Sequence, residues 1–188
     1  VLLVGLPYEG KKLTKKGSAK VPKKIRQYST KFSGISTTFN LYNLPFNCYD
    51  LGNINLKKNN AKKIIAKIWQ EQAKRNFRII SIGGDHSITY FMLSESKFGS
   101  QDMLVNIDAH ADLAREYPQS VNKSHATVFY NLIKEEIVSY NQLIIIGGHS
   151  FSHSLAEYND IEEKGLHYLS TSSLTSVKTK QETMEKLQ

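Results

Sequence analysis

Residues 77–112 read FRIISIGGDHSITYFMLSESKFGSQDMLVNIDAHAD. Phe77–Ile82 is an apolar, β-branched run that stops at Gly83-Gly84, and Asp102–Ile107 is a second such run that stops at Asp108. Between them, Ser87–Ser96 carries apolar residues at helical spacing. Strand, helix and strand within about thirty residues form a βαβ unit, and the two strands of such a unit lie parallel.

The same alternation extends outward in both directions. Val1–Leu6 reads as a buried strand, followed by a Gly- and Lys-rich loop to Gly17. Lys20–Thr30 reads as a short helix with Pro22 near its start, where a missing N–H costs nothing. Within Phe39–Leu51 the pattern supports at most one short strand, near Cys48–Leu51. Lys57–Arg75 is the clearest helix, with Ile64, Ile65, Ile68 and Trp69 on one stripe flanked by lysines. Downstream of Asp112 a long polar loop runs to Lys123. Ser124 then sits as an N-cap before a helix to about Ile137, with Val128, Phe129, Leu132 and Ile133 on one face. Gln142–Ile146 and Leu166–Ser170 read as two more strands, and Lys180–Leu187 as the start of a helix. These elements predict an α/β fold on a mostly parallel sheet.

An open parallel sheet gathers loops and helix N-termini beyond the carboxyl ends of its strands, and ligands bind there. At those positions the chain places Asp85-His86-Ser87, Asp108-Ala109-His110-Ala111-Asp112 and Gly147-Gly148-His149. Asp, His and Asp at alternate positions offer carboxylate and imidazole ligands and no thiolate. That set favours Mn²⁺ or a similar hard divalent ion over a structural zinc site. Either motif alone is common in solvated loops and tight turns; both at one sheet edge make a stronger signal. His149 and His153 would share a face if helical, but an exposed turn is the expected setting.

The strings Ile82-Gly-Gly-Asp-His-Ser87 and Ile107-Asp-Ala-His-Ala-Asp112 resemble two signature motifs of the ureohydrolase family, which includes arginases and agmatinases. The resemblance extends to Val4–Gly10, to the Gly17–Arg26 segment and to Asp50-Leu51-Gly52-Asn53. It implies a three-layer α/β/α sandwich and hydrolysis of a guanidinium group to urea and an amine. It also implies two Mn²⁺ ions per intact subunit. By motif, His86 and Asp112 would hold one ion, His110 the other, and Asp108 would bridge both. His125, in Ser124-His125-Ala126-Thr127, matches a histidine that shuttles protons at the mouth of the site. The Ser-His-Ala-Thr-Val form is more similar to agmatinases than to arginases, so agmatine and its products putrescine and urea are the expected chemistry. Arginase, guanidinobutyrase and formimidoylglutamase chemistry stay open, as does a non-catalytic metal-binding relative. A homo-oligomer, trimer or hexamer, is also implied.

The family supplies two further Asp ligands from an Asp-x-Asp pair and a Glu for the guanidinium. After Asp112 this sequence holds one Asp, Asp160. The chain also opens on Val1 inside an apolar run. Residues 1–188 are therefore expected to form one ureohydrolase-like domain, cut before the second metal motif and inactive by itself.

Composition limits the other classes. The 188 residues are 40% hydrophobic and 22% charged, which suits a folded domain and excludes collagen-like or fully disordered chains. No apolar stretch is long enough for a membrane span. The single Cys48 cannot form an internal disulfide, and a reducing, cytoplasmic setting is expected. The net charge is +8, with 17 Lys and Arg against 3 Asp and Glu in residues 1–80. Those lysines lack interleaved exposed aromatics, so they are expected to decorate solvated helices and not to bind nucleic acid.

Overall fold

The computed structural model describes residues 1–10, 16–32, 46–149 and 152–175. The helix expected over Lys180–Leu187, and part of the ambiguous stretch from Phe39, lie outside the described residues. The chain divides into two compact units, Val1–Ser96 and Lys97–Gln188.

In the first unit, strands β1 (Leu2–Leu6), β2 (Tyr49–Asn53) and β3 (Ile79–Gly83) form a parallel sheet in the order β2-β1-β3. Leu2–Leu6 runs alongside Ile79–Gly83 without a slip, whereas the pairing to β2 shifts between Leu3 and Gly5. Helices α1 (Val21–Ser29) and α2 (Ala61–Arg75) make the connections, and α3 (Ser87–Leu93) follows β3. Val4 and Leu6 are fully buried beneath Ile65, Ile68 and Met92, with Trp69, Ile88 and Phe91 packed around them. The Trp69 indole N–H donates to the Met92 carbonyl at 2.8 Å, so the one polar atom of the ring is satisfied and ties α2 to α3.

Helix α2 starts at Ala61, four residues later than its lysine-rich sequence suggests. Asn55 accepts a hydrogen bond from the Lys57 N–H at 3.0 Å through its side chain, and Lys58 N–H and Ala61 N–H close successive turns. Side-chain bonding of this kind competes with the helix and delays its start. At its far end Asn76 adopts the left-handed conformation (φ 48°), which Asn tolerates, and donates its N–H to the Gln72 carbonyl.

In the second unit, β4 (Leu104–Ile107), β5 (Leu143–Gly148) and β6 (His167–Ser170) form a parallel sheet in the order β4-β5-β6. Leu143 and Ile145 are fully buried. Helix α4 (Val128–Lys134) buries Val128, Phe129 and Leu132. It is preceded by a short 3₁₀ turn at His125–Thr127, where the longer helix from Ser124 was expected. Ser124 does sit at the N-cap position, but its N–H donates to the Thr127 hydroxyl at 2.8 Å. Its own buried hydroxyl oxygen has no partner among the described residues.

Helix α5 (Leu155–Glu163) and the five-residue α6 (Thr171–Thr175) were not anticipated. Leu155 and Tyr158 of α5 are exposed, and its buried positions are Glu157, Asp160 and Ile161. A helix that buries acidic side chains shows no apolar stripe. Both sheets are parallel, so the chain is of the α/β class, as the alternating pattern predicts, but β3 and β4, expected as the two strands of one βαβ unit in one sheet, belong to different sheets. No helix among the described residues is long and apolar enough to cross a membrane.

Candidate metal centre and substrate cavity

Each candidate ligand follows a strand. In the first unit β3 delivers Gly83-Gly84-Asp85-His86. The Gly84 backbone passes so close to the Tyr8 carbonyl that a Cβ there would overlap it. Only glycine fits this approach. Asp85 then locks the turn: its Oδ2 accepts from the Gly10 N–H at 2.6 Å, and its Oδ1 from the Ser87 N–H at 2.9 Å. The Asp85 N–H itself reaches the Tyr8 carbonyl. Burial, and secondarily the Asp85 charge, hold the Tyr8 phenol above its usual pKa. His86, half-buried, is the residue flanking the first turn of α3.

In the second unit β4 delivers Asp108–Asp112. The Asp108 N–H extends the strand by donating to the Ile146 carbonyl at 3.0 Å. The Asp108 Oδ1 accepts the His110 backbone N–H at 3.0 Å and lies 3.4 Å from the His110 Nδ1. Two atoms at that separation can both lie roughly 2.0–2.6 Å from one ion. Ala111 and Leu113, both fully buried, pin the loop on either side of Asp112. Asp112 is itself buried and left-handed, with φ 49°, a conformation that Asp tolerates better than most residues. Its carbonyl accepts from the Phe129 N–H, and the next residues tie to the 3₁₀ turn through Ala114 N–H to Ala126 carbonyl. A set of two carboxylates and an imidazole, without thiolate, fits a hard divalent cation.

A cavity of about 620 Å³ opens beside this loop. His110, Asp112 and His125 lie on its wall, and the Tyr117 ring meets the His125 ring edge-on at 5.5 Å between centroids. Opposite chain segments contribute Ser152, Ser154 and Glu157. Ser154 caps α5: its N–H and hydroxyl both donate to the Glu157 Oε2, at 2.9 and 2.8 Å. Arg115, also on the wall, pairs with buried Asp160 of α5 at 2.5 Å, and Tyr130 lies under its guanidinium at 4.5 Å. Its hydrogen bond to Asp160 holds the guanidinium pKa above its usual value.

Within this unit, therefore, Asp108 and His110 meet directly, and His110, Asp112 and His125 share one cavity. His86 stands in the first unit. His149 and His153 do not form a helical pair. His153 lies beside Tyr168 of β6, its Nε2 2.9 Å from the hydroxyl, and burial holds its imidazole pKa below the usual value. Sequence reasoning missed Arg115, Glu116 and Tyr117 as cavity residues and left Asp85 without a role. The S-x-x-E spacing of Ser154 and Glu157 was the available signal for α5 and its placement beside the cavity.

The arginase family model matches residues 1–188. A 32.2 kDa protein from the hmfB 3′ region of Methanothermus fervidus is 35% identical over 144 residues, covering 72% of this chain and 49% of that protein. An agmatinase of Photorhabdus laumondii is 29% identical over 154 residues, covering 78% of this chain and 49% of the relative. The crystal structure of formimidoylglutamase from Bacillus subtilis superposes with a TM-score of 0.81 at 22% identity, over 98% of this chain and 58% of that one. This last likeness shows the fold. The chain belongs to the arginase family and carries its α/β architecture. It spans about half the length of the curated relatives it matches.

Proposed function

We propose that these residues are part of a dimanganese amidinohydrolase that cleaves agmatine to putrescine and urea. The observation that carries this reading is the Asp108–His110 pair, 3.4 Å apart at the carboxyl end of β4. His110 and Asp112 also lie on the wall of the cavity that holds His125. His86 and Asp112 would hold one ion and His110 the other, with Asp108 touching both. Bound divalent ions would supply a water of near-neutral pKa as nucleophile toward the guanidinium carbon. Asp108, whose Oδ1 meets His110, would be the ligand shared by the two ions. His125, on the wall of that cavity, would carry a proton to the departing amine. Buried Ala111 and Leu113 anchor the loop that carries Asp108, His110 and Asp112.

The Ser124-His125-Ala126-Thr127 form and the agmatinase relative favour agmatine over the other guanidino substrates. Formimidoylglutamase chemistry is the second reading, supported by the structural neighbour of that name. We read residues 1–188 as one ureohydrolase-like domain of a cytoplasmic homo-oligomer, acting on a small guanidino substrate and not on nucleic acid. The 188 residues lack the Asp-x-Asp pair and would be inactive alone.

The test is urea release from agmatine by the full-length protein with and without Mn²⁺. Turnover that needs Mn²⁺ and falls at least about 100-fold in Asp108→Ala is expected, since one change removes a ligand of both ions. Undiminished turnover in that variant would exclude the mechanism. Release of formamide from formimidoylglutamate, with none of urea from agmatine, would favour the second reading.

A further inference from the structure

We infer that Glu116 is a specificity-determining residue that reads the far end of the substrate, so that the cavity selects guanidino compounds carrying a second cationic group. The inference rests on the hydrolase reading above and adds to it the group that recognises the tail.

Arg115 is the arginine on the cavity wall and the natural partner for a carboxylate tail, but its charge is already paired with that of Asp160. Its Nη1 donates to Asp160 Oδ2 at 2.5 Å and to the Leu113 carbonyl at 3.1 Å, and Tyr130 packs against the guanidinium. Asp160 is 4% exposed. A substrate carboxylate that drew Arg115 away would leave that buried charge uncompensated, which is costly. The neighbouring Glu116 differs in each respect. It is exposed, lines the same cavity, and has no ion-pair or hydrogen-bond partner among the described residues. Glu157 adds a second negative charge to the wall, with its Oε2 already accepting two bonds from Ser154. With Arg115 paired to Asp160, the charges left on this part of the wall are the two carboxylates of Glu116 and Glu157.

Position supports the same assignment. Glu116 stands four residues beyond Asp112 on one loop, so their Cα atoms lie within roughly 14 Å. That span suits a guanidinium at the metal ligands and an ammonium at Glu116, joined by a short alkyl spacer. An ammonium there gains a charge-assisted hydrogen bond, and a carboxylate meets like charge.

The test uses the full-length protein and three guanidines of similar length: agmatine, butylguanidine and 4-guanidinobutyrate. Wild type should prefer them in that order. In Glu116→Gln the agmatine preference over butylguanidine should fall about tenfold, in KM with kcat nearly retained. Glu116→Lys should move the preference toward 4-guanidinobutyrate. Calorimetry with 1,4-diaminobutane, which needs no turnover, should show binding about tenfold weaker in Glu116→Gln. Proportional losses on all three guanidines, or unchanged agmatine KM and diamine affinity, would overturn the role of Glu116 while leaving the hydrolase reading standing. Urea release from none of the three by wild type would overturn the hydrolase reading and this inference with it.

Discussion

Arg26 and Asp50 show how two separate sequence motifs serve one joint. The Arg26 Nε and Nη2 meet both oxygens of Asp50, at 2.6 and 2.7 Å, while Nη1 reaches Asn53 Oδ1 at 2.6 Å. This two-point fork fastens α1 to the end of β2, and it explains why Gly17–Arg26 and Asp50–Asn53 belong together. The hydrogen bond from Arg26, and then that from the Gly52 N–H, hold the Asp50 carboxyl below its usual range. A depressed carboxyl contributes its stability above its unfolded pKa of about 3.9, and loses it as pH falls through the folded value. The pair is partly exposed, so its worth is modest. Arg26→Ala should cost about 1 kcal/mol at pH 7, and Arg26→Lys should recover only part because it lacks the fork. Urea denaturation of the full-length protein measures both, and the deficit of Arg26→Ala should shrink below pH 4. A deficit independent of pH would show that lost packing, not the pair, dominates.

At the scale of elements, strands β1, β3, β4 and β5 were legible because each is a short apolar run closed by a Gly pair, a Pro or an Asp. Helix α2 was legible from its stripe, and Ile65 and Ile68 are the residues it buries. Helix α5 was not, because two of its three inward residues are the acidic Glu157 and Asp160, and the Arg115 that pairs with Asp160 is known only from the fold. The same limit applies to Asp85. Its place after β3 was evident, but its partner at Gly10 lies 75 residues upstream. The α5 cap offers a test. Ser154→Ala removes the hydroxyl that donates to Glu157 Oε2 and accepts from the Glu157 N–H, leaves the backbone N–H donor in place, and should cost about 1 kcal/mol of stability. It should also loosen the cavity wall, read as faster amide exchange over Leu155–Tyr158 than over α4. Unchanged exchange there would show that the Ser154 hydroxyl does not hold α5 in place.

At the scale of the whole molecule, the family's fold is recognisable although the chain spans about half the length of the relatives it matches. Local motifs carry most of that recognition, since each site loop is short and follows directly from its strand. What the sequence could not supply was the set of neighbours that surround those loops: Arg115 withheld by Asp160, Tyr117 against His125, and Glu116 turned to the cavity. The central claim is that Asp108 belongs to two metal ions at once. Diffraction from crystals of the full-length protein grown with Mn²⁺, recorded at the manganese edge, tests it most directly. The account predicts two anomalous peaks, with Asp108 touching both, His86 and Asp112 at one and His110 at the other. A single peak, or peaks remote from Asp108, would contradict it.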